Sequence, residues 1–310
     1  MKILKNYLTV LILSIVTTFS GFSQTTTYST EVVDDLDIFY REAGSKNKPA
    51  LVLLHGYPTS SFMFRNLIEE LSTEYHLIAP DYPGYGRSSQ PAIKDFDYTF
   101  DNMARIVEKF LDQKGIKKYS LYVMDYGAPV GYRIFSKHPE RVQALIVQNG
   151  NAYEEGLGVP FDALKANWAN NNEETRKALE GFHTLGGLEW QYTTGVEDPS
   201  KISPDNWYLD YQHIQRPENN EIQLAMFYDY RTNVALYPEW HKKFRKHQPP
   251  TLIVWGENDP IFPGIGAVPY KRDLNNVEIH LLNTGHFALE DKGDEIAAYI
   301  RQFFKKNNIK

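Results

Sequence analysis

The strongest constraint on this chain is a rhythm in which short apolar runs alternate with longer segments whose apolar residues recur at helical spacing. Runs at 38–40, 50–54, 77–79, 120–123, 144–147, 251–255 and 277–282 read as strands, and several are apolar throughout, as strands covered on both faces tend to be. Between them, 61–71, 101–113, 130–138 and 295–304 read as helices; in the last, Ile296, Ile300, Phe303 and Phe304 share one face. Strands alternating with helices predict an α/β fold, a mostly parallel twisted sheet flanked by helices.

Residues 152–245 break this rhythm. They are rich in Asn, Glu, Trp and Tyr, carry no clear strand, and sit between two sheet strands. They are expected to form a helical insertion into a core made of 24–151 and 246–310. Residues 1–23 start basic (Lys2, Lys5), continue apolar, and end in small residues before a predicted cut after Ser23, the layout of a secretory signal. The apolar stretch is about ten residues, well short of the ~20 needed to span hydrocarbon. A secreted or periplasmic protein with no stable membrane anchor after cleavage is therefore expected.

The absence of cysteine excludes thiolate nucleophiles, disulfides and Cys-ligated metal centres. A net charge of −6, with no long run of Lys or Arg, argues against nucleic acid as a partner. The most informative segment is 119–131, where an apolar strand ends in Asp125, Gly127 follows two residues later, and a helix begins. A sharp strand-to-helix turn needs a small residue beside its exposed tip, and the tip residue is pushed towards the cleft at the helix N-terminus. An Asp here is otherwise read as a helix cap. Three further segments change that reading. His55, Gly56, Tyr57 and Pro58 directly follow one strand, Asp259 follows another, and His286 stands between a strand and a helix. Taken singly, each is explained by turn or capping chemistry. Together they supply Asp125, an acid and a His in chain order, each at the carboxyl end of a strand, where open α/β sheets place their chemistry.

On these residues, and on Asp81, Gly84, Gly86 and Ser88 in 79–88, the chain resembles the α/β-hydrolase superfamily from about residue 28 onwards. The closest likeness is to its aspartate-nucleophile branch of epoxide hydrolases and haloalkane dehalogenases. The resemblance implies an α/β-hydrolase fold with 152–245 as a cap, Asp125 as nucleophile, His286 as base and Asp259 as its orienting acid. It also implies an oxyanion hole from the backbone N–H groups of Tyr57 and Tyr126, with a cis peptide before Pro58. The family's other acid position, after strand 144–147, holds Gln148 and Asn149 and no carboxylate. The implied partners are a small hydrophobic substrate and water; the implied chemistry needs no metal or cofactor.

An ionised carboxylate needs no base to attack, and its natural target is an sp³ carbon bearing a strained or good leaving group. A departing halide is held in the family by ring or amide N–H donors, among them a Trp directly after the nucleophile; here that residue is Tyr126, and the third residue of the His55 motif is Tyr57. An opening epoxide needs an O–H donor instead. Tyr230, followed by Arg231, stands where the family carries a Tyr-Arg pair, and His183, Trp190 and Tyr192 are candidates for a second cap donor. Epoxide opening is the first expectation, with a haloalkane dehalogenase or another hydrolase of the fold as the alternative. A non-catalytic binding protein would be expected to carry a degraded triad, and Asp125, Asp259 and His286 are all present.

Overall fold

The computed structural model describes residues 25–310. The expected signal segment 1–23 and its cut after Ser23 lie outside the described residues. Eight strands, β1 (Thr27–Val33), β2 (Leu36–Ala43), β3 (Ala50–Leu54), β4 (His76–Pro80), β5 (Tyr119–Met124), β6 (Val142–Gln148), β7 (Thr251–Gly256) and β8 (Val277–Leu282), form one sheet in the order β1-β2-β4-β3-β5-β6-β7-β8. The pairings β1/β2 and β2/β4 are antiparallel and the remaining five are parallel. Strands β3, β4, β5 and β7 are buried at every residue, which is why they read as continuous apolar runs.

The core helices are α1 (Arg65–Leu71), α2 (Phe100–Gln113) and α3 (Gly127–Lys137). Five more, α4 (Phe161–Ala169), α5 (Glu173–Lys177), α6 (Leu185–Thr193), α7 (Asp205–Ile214) and α8 (Asn219–His247), lie between β6 and β7, and α9 (Leu289–Lys306) closes the chain. The amphipathic α2 shows how the helices cover the sheet: Phe100, Met103, Ile106, Val107, Phe110 and Leu111 are buried on one side, and Thr99 caps its first turn by accepting from Asn102 N–H. Among the described residues no helix is long and apolar enough to cross a membrane.

Three elements differ from the sequence expectation, each for a local reason. Strand β1 has no apolar alternation and is mostly exposed. It is recruited by backbone pairing to β2 across Asp34 and Asp35, whose φ values of 50° and 63° suit a tight primed hairpin turn. The expected helix 61–71 divides into a 3₁₀ turn at Ser61–Phe64 and α1. Helix α9 begins at Leu289, six residues before the expected start, and passes through a non-helical Lys292 (φ −119°).

Candidate active site

Asp125 ends β5 at the centre of the sheet, and its backbone sits at φ +50°, a left-handed conformation that costs a non-glycine residue about 1–3 kcal/mol. Two glycines make the turn sterically feasible. A Cβ on Gly127 would lie 2.0 Å from the Leu54 carbonyl oxygen, and one on Gly56 would lie 2.3 Å from Asp125 Cβ. The strained turn aims the carboxylate across the sheet edge. Its Oδ1 accepts from Tyr57 N–H at 2.8 Å and from its neighbour Tyr126 N–H at 2.6 Å. Asp125 does not cap α3: its side chain bonds these two amides and not the interior of the first turn.

His286, from the loop between β8 and α9, is fully buried, with Nε2 3.7 Å from Asp125 Oδ2 and Nδ1 2.7 Å from Asp259 Oδ2. Asp259, from the loop after β7, also accepts from Ile261 N–H at Oδ1 (2.7 Å) and from Asn149 Nδ2 at Oδ2 (2.8 Å). Sequence reading registered Asn149 only as the absence of a carboxylate after β6. In the fold its amide reaches over to hold the acid of the neighbouring strand, while its Oδ1 accepts from Gly256 N–H (2.9 Å). The chain thus brings Asp125, Asp259, His286, Tyr57 and Tyr126 to one edge of the sheet, from four different loops or turns.

Electrostatics follow from that burial. Desolvation raises the Asp125 carboxyl to about 6, opposed by nearby His286 and the two backbone N–H groups. The group is thus less acidic than an ordinary aspartate yet still mainly ionised at neutral pH. Burial pulls His286 down, but the charge and hydrogen bond of Asp259, with Asp125 beyond, leave it above the ordinary imidazole value. His55 is different. Its Nδ1 faces the Gly56 carbonyl at 3.0 Å, its Nε2 accepts from Tyr82 N–H at 3.2 Å, and burial lowers it to about 4. It is a neutral brace for the loop that presents Tyr57 N–H, and the peptide between Tyr57 and Pro58 is cis.

Beside Asp125 lies a small, narrow cavity, formed on the sheet side by Tyr57 and Tyr126 and on the helical side by residues including Phe161, Gln191, Phe227 and Tyr230. Tyr230 is buried on this wall beside the Tyr237 phenol, and its hydroxyl makes no hydrogen bond of normal geometry. The three cap candidates do not reach the cavity. Trp190 is 37% exposed; Tyr192 donates to Asp210 Oδ2 at 2.5 Å and stacks on Phe287; His183 stacks behind Phe227 with Nδ1 2.5 Å from Asn220 Oδ1. The reason is helical geometry. Successive residues of α6 point about 100° apart, so only one of residues 190, 191 and 192 can face the cavity. That residue is Gln191; spacing from the buried Leu188 does not single it out, because Tyr192, one residue further on, is buried as well, against Phe287.

The family model of the alpha/beta hydrolase fold matches this sequence over residues 49–293. The chain belongs to the α/β-hydrolase family. An uncharacterized hydrolase of Saccharomyces cerevisiae is 39% identical to this α/β hydrolase over 281 residues, 89% of this chain and 96% of the yeast protein. A haloalkane dehalogenase of Psychrobacter cryohalolentis is 24% identical over 279 residues, 88% of this chain and 89% of that enzyme. Among solved structures, the epoxide hydrolase CorEH superposes with a TM-score of 0.75 at 22% identity, covering 91% of this chain and 99% of that one. The haloalkane dehalogenase DatA of Agrobacterium tumefaciens superposes at 0.76 and 22%, covering 91% and 97%. Likeness at this identity establishes a shared fold.

Proposed function

We propose that this α/β hydrolase opens epoxides to diols through an ester formed on Asp125. The observation that carries the reading is the paired use of one carboxylate: Oδ1 is held by two backbone N–H donors while Oδ2 faces His286 at 3.7 Å. Oδ2 attacks an epoxide carbon, the C–O bond breaks, and an alkyl ester of Asp125 forms. His286, oriented by Asp259, then takes a proton from water, and the hydroxide adds to Cγ of Asp125. The charge that develops on Oδ1 is met by the N–H groups of Tyr57 and Tyr126, which already point at it; one such donor is typically worth ~10²–10³ in rate.

The leaving oxygen favours an epoxide over a halide. The ring after Asp125 is a phenol, Trp190 faces away from the cavity, and the unpartnered Tyr230 hydroxyl lies on the wall, where it can give a proton to an opening ring. The alternative, a dehalogenase, draws on the Gln191 side chain, whose amide is the N–H donor nearest in kind to a halide ligand. The mostly apolar walls suit a small hydrophobic substrate. Secretion or periplasmic residence, after cleavage behind Ser23, remains part of the proposal.

The test is trapping. His286→Gln should stop after the first step, so incubation with an epoxide should add the mass of the epoxide to the peptide containing Asp125. A haloalkane that adds mass where a panel of epoxides adds none would replace the first reading by the second, and no adduct from either class would end the alkyl-enzyme mechanism.

A further inference from the structure

We propose that Tyr126 is the second proton-donating residue, its side-chain hydroxyl holding the epoxide oxygen together with that of Tyr230 while Asp125 attacks; this rests on the epoxide reading above. Tyr126 would thus act twice, through its N–H on Asp125 Oδ1 and through its phenol on the leaving oxygen.

The argument is one of elimination on the cavity wall. Among its lining residues, the side-chain polar atoms buried without a hydrogen-bond partner are the Tyr126 hydroxyl, the Tyr230 hydroxyl and Gln191 Oε1. Buried polar groups are nearly always paired, and an orphan beside a reactive carboxylate points to a group that a ligand completes. Gln191 Oε1 only accepts, and a neutral amide does not release a proton to an alkoxide. Tyr57, the third tyrosine on the wall, already donates to the Phe182 carbonyl at 2.8 Å. The two remaining hydroxyls belong to rings that share one orienting neighbour. Phe100 packs edge-on against Tyr126 at 4.9 Å and against Tyr230 at 5.6 Å, and the two tyrosine rings lie 6.2 Å apart. Both rings are almost wholly buried, and burial with Asp125 nearby keeps each phenol well above its ordinary pKa, in the donor form.

The step balances. Asp125 Oδ2 bonds to the epoxide carbon, the ring C–O bond breaks with its electron pair on oxygen, and that oxygen takes the proton of one phenol while the other donates a hydrogen bond. The resulting phenolate regains its proton from His286 after His286 has deprotonated water, so that epoxide plus water gives diol and the enzyme is restored.

The measurement is the rate of ester formation on Asp125, read by mass in single turnovers of His286→Gln with an epoxide that forms the adduct. Adding Tyr126→Phe should slow that rate roughly 10²-fold, as expected for loss of one acid donor. Replacing Tyr126 by 3-fluorotyrosine, which restores the hydroxyl in nearly the same volume, should bring it back to within threefold, a rescue that a packing role for the hydroxyl-free ring would not need. A Tyr126→Phe rate within threefold of the parent overturns the assignment and leaves the epoxide reading standing. If Tyr126→Phe does not fold, the fluorinated protein decides alone through the pH dependence of its rate: with the phenol as proton donor, the alkaline limb of ester formation should move to lower pH with the more acidic phenol, and an unmoved limb overturns the proposal. Failure of every epoxide to label His286→Gln would overturn the epoxide reading itself and this assignment with it.

Discussion

Asp125 reaches the cavity, backed by the buried His286 and Asp259, and all three stand on loops that follow parallel strands, whereas Gln191, Phe227 and Tyr230 reach it from two helices of the segment between β6 and β7. The two sides are built on different rules. At the sheet edge, strand pairing fixes where each loop begins, and the acid that orients the His is saturated: Asp259 accepts from His286, Asn149 and Ile261, while His286 Nε2 and the Tyr126 hydroxyl are left without partners. On the helical side, apolar and aromatic packing sets position, and the Tyr230 hydroxyl and Gln191 Oε1 are left without hydrogen bonds of normal geometry, while Gln191 Nε2 donates to the Gly187 carbonyl at 3.3 Å. In the proposed reaction the sheet edge supplies the attacking carboxylate and the water-activating His286, while the helical side shapes the cavity and brings Tyr230 to the leaving oxygen.

Changes at the sheet edge should therefore be the more damaging. The largest effect is expected from Asp259→Asn, which removes the charge that orients His286 and holds it above the ordinary imidazole value. Turnover should fall ~10³–10⁴-fold, by analogy with loss of the acid in a Ser-His-Asp triad. Ester formation on Asp125 should survive, so the adduct should accumulate; a variant that turns over within tenfold of the parent would place the orienting role elsewhere.

The next effect is one of pH. In the proposed reaction only ionised Asp125 attacks, and burial holds its proton on up to about 6. The single-turnover rate of ester formation should be flat above that value and fall about tenfold per unit below it. A limb near the ordinary carboxylate range, around 4, would show that the cavity is wetter than the packing implies.

The smallest effect belongs to the helical side. Trp190→Phe alters a partly exposed ring that does not line the cavity, and kcat/KM should stay within threefold. A tenfold loss with an epoxide, or a larger loss with a haloalkane, would bring Trp190 back as a leaving-group donor and weaken the division between the two sides.

The unequal legibility of the two sides in the sequence has the same origin. Strands 50–54, 251–255 and 277–282 were readable to within a residue because double burial or edge register leaves a run of apolar side chains, and Asp125, Asp259 and His286 each stand a few residues past such a run. The helical side offered no comparable anchor. Helix α6 has apolar and polar residues spread around its circumference, so the inward position had to come from its packing, and the residue type that attracted notice, Trp190, is the one turned outwards. The role of Asn149 was equally hidden, because its partner Asp259 is 110 residues away in the chain and adjacent only through the β6/β7 pairing.

By itself the sequence determined the α/β architecture, the position of the elbow and the identity of the three polar residues at the strand ends, because apolar periodicity and turn chemistry are local. Tertiary structure decided which side chains meet: that Asn149 holds Asp259, that Gln191 and not its neighbours faces the cavity, and that Tyr126 and Tyr230 are left with free hydroxyls on its wall. Those outcomes depend on helix rotation and on contacts between distant segments, and α6, unlike α2, carries no apolar stripe from which its rotation could be read.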